Sequence, residues 1–211
     1  MKLRDKFFTN LLSLFIAAWL TGWAPNALAR HASMGSALLE ALDEAAQSRE
    51  STSLPSQGTV EIAFSPNGAC TAATVRFIGQ AKQSIRLAAY GLTSTPIGQA
   101  LVEAQKRGVD VRLVVDREHN GRRNSPNSMV NFLASNGIQV RVDTAVRIQH
   151  NKVLIVDGKS VQNGSFNFTN AAQTSNAENI IIHRDFPELA KLFTRNWEHL
   201  WSESETFRGT Y

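Results

Sequence analysis

HNKVLIVDGKSVQNGSFN, running from His150 to Asn167, is the stretch on which the reading of this chain turns. Its first part has the texture of a strand, so His150 and Lys152, two residues apart, are expected to project from one face of it. Val153 to Val156 is an unbroken apolar run of the kind carried by a strand buried on both faces. Asp157-Gly158 is turn chemistry, and Val161 to Phe168 is expected to return as a second strand with Ser165 and Asn167 again on a shared face. One hairpin thereby gathers an imidazole, an ammonium, a hydroxyl and an amide. These groups suit attack on a phosphodiester: histidine serves as nucleophile or proton donor, lysine neutralises phosphoryl oxygens, and serine and asparagine donate hydrogen bonds to them.

Working outward, Val60 to Phe64 alternates as a first strand closed by Ser65-Pro66-Asn67-Gly68, Cys70 to Ala81 is expected as a helix, and Ser84 to Tyr90 as a buried strand. Thr95-Pro96 opens a helix that Gly108 ends, and Val109 to Val115 is another apolar strand. Met129 to Ser135 is a short helix stopped by Asn136-Gly137, and the strand Ile138 to Val142 leads into the hairpin. Beyond it come a polar loop, Thr169 to Ala177, and a strand, Glu178 to His183. Pro187 to Trp201 carries Leu189, Leu192, Phe193, Trp197 and Leu200 at helical spacing and closes the domain as an amphipathic helix. Its Trp197 and Trp201 are expected as core or dimer contacts rather than as a base-stacking platform. The alternation predicts an α/β fold, a mixed, largely parallel sheet flanked by helices.

The chain of 211 residues holds one ordinary domain and an appendage. Lys2, Arg4 and Lys6 precede an apolar run from Phe7 to Leu20, and Ala27-Leu28-Ala29 has the small-x-small pattern of a secretory cleavage site. Residues 1–29 are therefore expected to be a signal peptide, with a retained membrane anchor as the rival reading. Residues 30–58 comprise a short amphipathic helix (Ala32 to Gln47) and a Ser-rich linker, and residues 59–211 form the domain. The formal charge of +4 includes a net +2 in the leader, so the mature chain is only mildly basic. That balance permits a polyanionic partner without requiring one. Arg122 and Arg123, in the long polar connection Asp116 to Ser128, are expected to track a nucleic-acid backbone; a merely solvated loop is the competing reading. Cys70 is the only cysteine, which leaves no intrachain disulfide and no zinc-type ligand set; it reads as a small core residue.

The spacing His150-x-Lys152-(x4)-Asp157-(x6)-Gly164-Ser165-x-Asn167 resembles the HKD motif of the phospholipase D superfamily without a gap. Flanking segments, among them IRLAAY, KRGVDV, NGSFNFT and the AEN around Glu178, resemble the small bacterial periplasmic endonucleases of that superfamily over about Val60 to Tyr211. The resemblance implies one HKD motif per chain and a two-step reaction. His150 forms a phosphohistidine, and Lys152, Ser165 and Asn167 hold the non-bridging oxygens. Glu178 matches the family's acidic residue behind the histidine, and Asp157 and Gly164 read as motif architecture.

One imidazole cannot be nucleophile and proton donor in the same step, and His31, His119, His183 and His199 lack the HxK context. The resemblance therefore implies a homodimer with two His150 side chains at a shared site. It implies no cofactor and no metal, because lysine and histidine supply the positive charge. The expected substrate is DNA, with RNA left open, cut without sequence preference; a lipid phosphodiesterase is the alternative. Asn163-Gly164-Ser165 and Asn167-Phe168-Thr169 are glycosylation sequons inside the expected site, where a glycan would block it. A secreted or periplasmic bacterial location, with no stable membrane association after cleavage, is the consistent one.

Overall fold

The computed structural model describes residues 51–121 and 128–208. The leader, the N-terminal helix and Arg122 and Arg123 lie outside the described residues. In chain order the elements are β1 (Thr59–Ser65), α1 (Cys70–Gly79), β2 (Ser84–Ala89), α2 (Thr95–Lys106), β3 (Asp110–Asp116), a π-helical turn (Arg117–Gly121), α3 (Val130–Ser135) and β4 (Gln139–Asp143). There follow β5 (Lys152–Val156), β6 (Ser160–Gly164), α4 (Asn170–Thr174), β7 (Glu178–Arg184), α5 (Pro187–Glu203) and β8 (Glu205–Thr206). α2 starts where sequence chemistry says it should, with Pro at its first turn, and stops before Gly108 at φ 89°.

The eight strands form one sheet in the order β1-β7-β6-β5-β2-β3-β4-β8. It is mixed, as expected, but parallel pairing is confined to β2–β3 and β3–β4; every other pairing is antiparallel. The expectation of a largely parallel sheet fails here for a physical reason. Helix-bearing connections join neighbouring parallel strands only at β2–β3 and β3–β4; β5 and β6 follow as a hairpin, β7 returns antiparallel through α4, and α5 carries the chain across to β8, which lies antiparallel on β4. The expected loop Thr169 to Ala177 contains α4, capped by Thr169, whose Oγ1 accepts from Ala172 N at 3.2 Å.

The run Val153 to Val156 is buried throughout and serves both faces of the sheet. Leu154 and Val156 join the core beneath α1–α3 together with Phe166 and Phe168. Val153 and Ile155 join a second cluster with Ala88, Val114, Val161, Ala190 and Trp197 beneath α5. Trp197 is a core residue whose Nε1 donates to the Leu87 carbonyl at 2.9 Å; its ring stacks on Trp201 at 5.0 Å, and Arg141 lies over Trp201 at 4.5 Å. Cys70 is buried and unpaired, and burial raises its thiol pKa.

Covering is uneven. On the outermost strand β1, Val60, Ile62 and Phe64 are 55 %, 55 % and 65 % exposed and share one face. Among the described residues no helix is long and apolar enough to cross a membrane.

Candidate active site

The topology brings one end of five strands to the same side of the sheet. β2 and β3 are parallel, so their carboxyl ends, leading to Tyr90 and to the turn bearing His119, lie side by side. β5 runs antiparallel to β2 with Lys152 opposite Ala89, which puts the start of β5 at the same edge. β6 then ends there at Gly164, and β7 begins there at Glu178. Residues 166–170 are tied in by a parallel bridge between Leu92 and Phe168 and by Phe168 N donating to Gly91 O at 3.1 Å.

Lys152 is the first residue of β5, and His150 sits just before the strand. His150 is exposed, whereas Lys152 is buried, with Nζ donating to the His150 carbonyl at 2.7 Å and lying 5.1 Å from the Tyr90 ring centroid. Burial pushes the Lys152 ammonium below the usual lysine range, with the Glu178 charge opposing. The site thus presents a reachable imidazole beside a cation that water screens little. Both the His150 and Lys152 side chains face Tyr90, whose ring centroid is 4.5 Å from that of His150.

On the return, Ser165 and Asn167 alternate with the fully buried Phe166 and Phe168, so the two Phe side chains anchor the segment while its polar residues face outward. Ser165 Oγ accepts from Asn179 N at 3.1 Å. The Asn167 amide oxygen has no protein partner. Gly164 has φ 152°, and a Cβ there would meet the Asn179 carbonyl oxygen, so the approach of β6 to β7 requires glycine. Glu178 accepts from Asn176 Nδ2 at 3.2 Å. Among the described residues it makes no hydrogen bond to His150, and its charge is felt at Lys152 instead.

Asp157, far along the hairpin, has φ 54° and Gly158 φ 62°, and Lys159 N closes the turn on Val156 O at 3.2 Å. Its carboxylate accepts from the backbone N–H groups of Lys82, Gln83 and Ser84 at 2.8–3.1 Å. Burial alone would raise its pKa, but these bonds hold the carboxyl below the usual aspartate range. Asp157 therefore latches the hairpin to the chain entering β2.

Two site residues escaped the sequence reading. Tyr90 and His119 stack with ring centroids 4.0 Å apart and an interplanar angle of 31°. His119 belongs to no quoted segment and Tyr90 only closes IRLAAY; the signal that pairs them is their position just beyond the carboxyl ends of neighbouring parallel strands, where α/β sheets place ligands. Among the described residues no group of three His, Cys, Asp or Glu side chains is arranged to hold a metal ion.

Residues 74–201 match the family model described as cardiolipin synthase, PLD-like domain. The chain is 42 % identical over 142 residues to a phospholipase D of Rickettsia conorii, covering 67 % of this chain and 69 % of that protein. It is 33 % identical over 140 residues to the mitochondrial cardiolipin hydrolase of Mus musculus, covering 65 % of this chain and 60 % of that one. Among solved structures, Nuc from Salmonella typhimurium, a phospholipase D family member, superposes with a TM-score of 0.69 at 42 % identity, covering 72 % of this chain and all (100 %) of that one.

Proposed function

This chain belongs to the phospholipase D-like family, and from that premise we propose that it is a metal-independent, sequence-nonspecific endonuclease hydrolysing DNA, and RNA as a further substrate, in a homodimeric site. The observation that carries this reading is the character of the site edge. Two exposed imidazoles, His150 and His119, share this end of the sheet with Ser165, Asn167 and Glu178, a polar setting that suits an extended polyanion better than an acyl chain.

In the first step a His150 ring nitrogen attacks phosphorus while the bond from phosphorus to the leaving oxygen breaks. The partner subunit's His150 donates a proton to that oxygen. In the second step the same partner histidine takes a proton from water, the water oxygen attacks phosphorus, and the nitrogen–phosphorus bond breaks to free His150. Lys152, Ser165 and Asn167 stabilise the charge that builds on the non-bridging oxygens. Glu178 supports the positive charge of the site from behind. The apolar stripe Val60, Ile62 and Phe64 supports a second copy as partner, because Phe64 pairs in register with Asn179, whose backbone N–H binds Ser165. The leader and the two sequons support export to a bacterial periplasm.

A lipid phosphodiesterase is the second reading, favoured by the same exposed stripe and by the names of the Rickettsia and mouse relatives. Plasmid DNA, phosphatidylcholine vesicles and cardiolipin vesicles, each incubated with and without EDTA, separate the two. Plasmid nicking that survives EDTA, disappears in H150A and comes from a species of twice the chain mass is expected. Turnover of vesicles with intact plasmid would replace the nuclease by the lipase.

A further inference from the structure

His119 is held in the site by a small built scaffold. Asp116, 2 % exposed, accepts through Oδ1 from Glu118 N at 2.9 Å and His119 N at 3.0 Å, which folds the π-helical turn. Its other oxygen accepts from Gln149 N at 2.9 Å, one residue before His150. Asn120, also 2 % exposed, accepts from Leu92 N at 3.3 Å and donates to the Tyr90 carbonyl. Two buried side chains on either side of His119 thus fix it against the segments carrying Tyr90 and His150.

A Cβ on Gly91 would come within 3.0 Å of Thr169 Cγ2, 3.8 Å of Asn167 Cβ and 3.9 Å of His119 Cδ2, so Gly91 lies between His119 and the segment carrying the motif asparagine. His119 is itself exposed, so its ring edge is open to a ligand.

We propose that His119 is a substrate-binding residue that grips a second phosphate of the substrate, next to the one His150 attacks; this rests on the nuclease reading above. The spacing fits a nucleic-acid strand. Laid end to end, the 4.0 and 4.5 Å legs to the Tyr90 centroid put the two imidazoles no more than about 8.5 Å apart, and successive phosphates of one strand, which rise roughly 3.4 Å along the axis while winding around it, fall within that bound. The orientation fits it too. Both imidazoles pack on Tyr90 instead of opposing each other across a gap, as the attacking and donating groups of an in-line displacement must. Arg117 and Glu118, the charged neighbours on the same turn, pair with each other at 3.6 Å.

The test compares wild type, H119A and H119K on bis(p-nitrophenyl) phosphate, which has a single phosphate, and on a short oligodeoxynucleotide used both as substrate and as inhibitor of that hydrolysis. In H119A, KM and Ki for the oligonucleotide are expected to rise five- to tenfold, well beyond any change in KM for the small diester, and H119K is expected to restore them. Oligonucleotide inhibition unchanged in H119A, or absent in the wild type, overturns the assignment. Loss of small-diester kcat in H119A also overturns it, making His119 a proton donor within one chain. An oligonucleotide that inhibits the wild type but is never cut, with Ki still rising in H119A, refutes the nuclease reading and leaves the second-phosphate contact standing.

Discussion

Asp157→Asn separates architecture from chemistry inside the motif. In the folded chain the Asp157 carboxylate accepts from three backbone N–H groups, of Lys82, Gln83 and Ser84. Asparagine keeps one acceptor oxygen but loses the charge. Hydrogen bonds to an ionised group contribute about 1.5–3 kcal/mol and neutral ones about 1 kcal/mol, so each bond weakens by roughly 0.5–2 kcal/mol. Two of the three N–H groups are near solvent, which puts the total toward the low end, about 2 kcal/mol. With a urea m-value of about 2 kcal/mol/M, the unfolding midpoint should fall by about 1 M.

The pH dependence has a definite sign. A carboxyl with a depressed folded pKa contributes stability that is fully present above its unfolded value, about 3.9, and is lost as pH falls through the folded one. The gap between wild type and D157N should therefore be full at pH 7 and close at acid pH. Activity should be unaffected, because Asp157 lies five residues along the strand from Lys152, roughly 16 Å away. Urea titrations at pH 7 and below pH 4, with kcat on bis(p-nitrophenyl) phosphate at pH 7, check both halves. An unchanged midpoint would refute the latch, and a fully folded D157N with a hundredfold lower kcat would make Asp157 part of the chemistry.

Lys152→Met should lower kcat by about 10²–10³ while leaving the urea midpoint unchanged or raised, because burial disfavours the ammonium it removes. The wild type should also gain stability as pH rises toward the usual lysine value of about 10.4, a gain absent from K152M; alkaline urea titrations read it. Gly164→Ala should destabilise by about 1–3 kcal/mol, seen in thermal unfolding, since its Cβ has nowhere to go but the Asn179 carbonyl. Trp197→Phe should cost about 1–3 kcal/mol by the same measurement, through loss of the bond to Leu87 O and of volume in the core beneath α5.

The hairpin was legible in the sequence because everything that specifies it is local. An apolar run of strand length and an Asp-Gly turn place Lys152 without knowledge of any other element, whereas the returning strand expected to reach Phe168 ends at Gly164, so Ser165 and Asn167 lie just past it, held by the buried Phe166 and Phe168. What the alternating pattern could not deliver was strand direction. Helix–strand alternation is shared by β2–β4 and by the strands after β4, yet only the former are parallel. His119 was illegible for the same reason, since its stack on Tyr90 and the tie from Asp116 to Gln149 each span about thirty residues. The reach of Asp157 to Lys82, Gln83 and Ser84 is likewise long-range, so the turn was visible and its second partner was not.

β1 has one neighbour in the sheet, and that neighbour is β7, made more than a hundred residues later. At about 5–20 residues per second of synthesis, the first strand waits on the order of ten seconds for its mate, with Val60, Ile62 and Phe64 unsheltered meanwhile. The sheet cannot be completed until nearly the whole polypeptide has emerged from the ribosome. Such a chain is slow to commit to its native form.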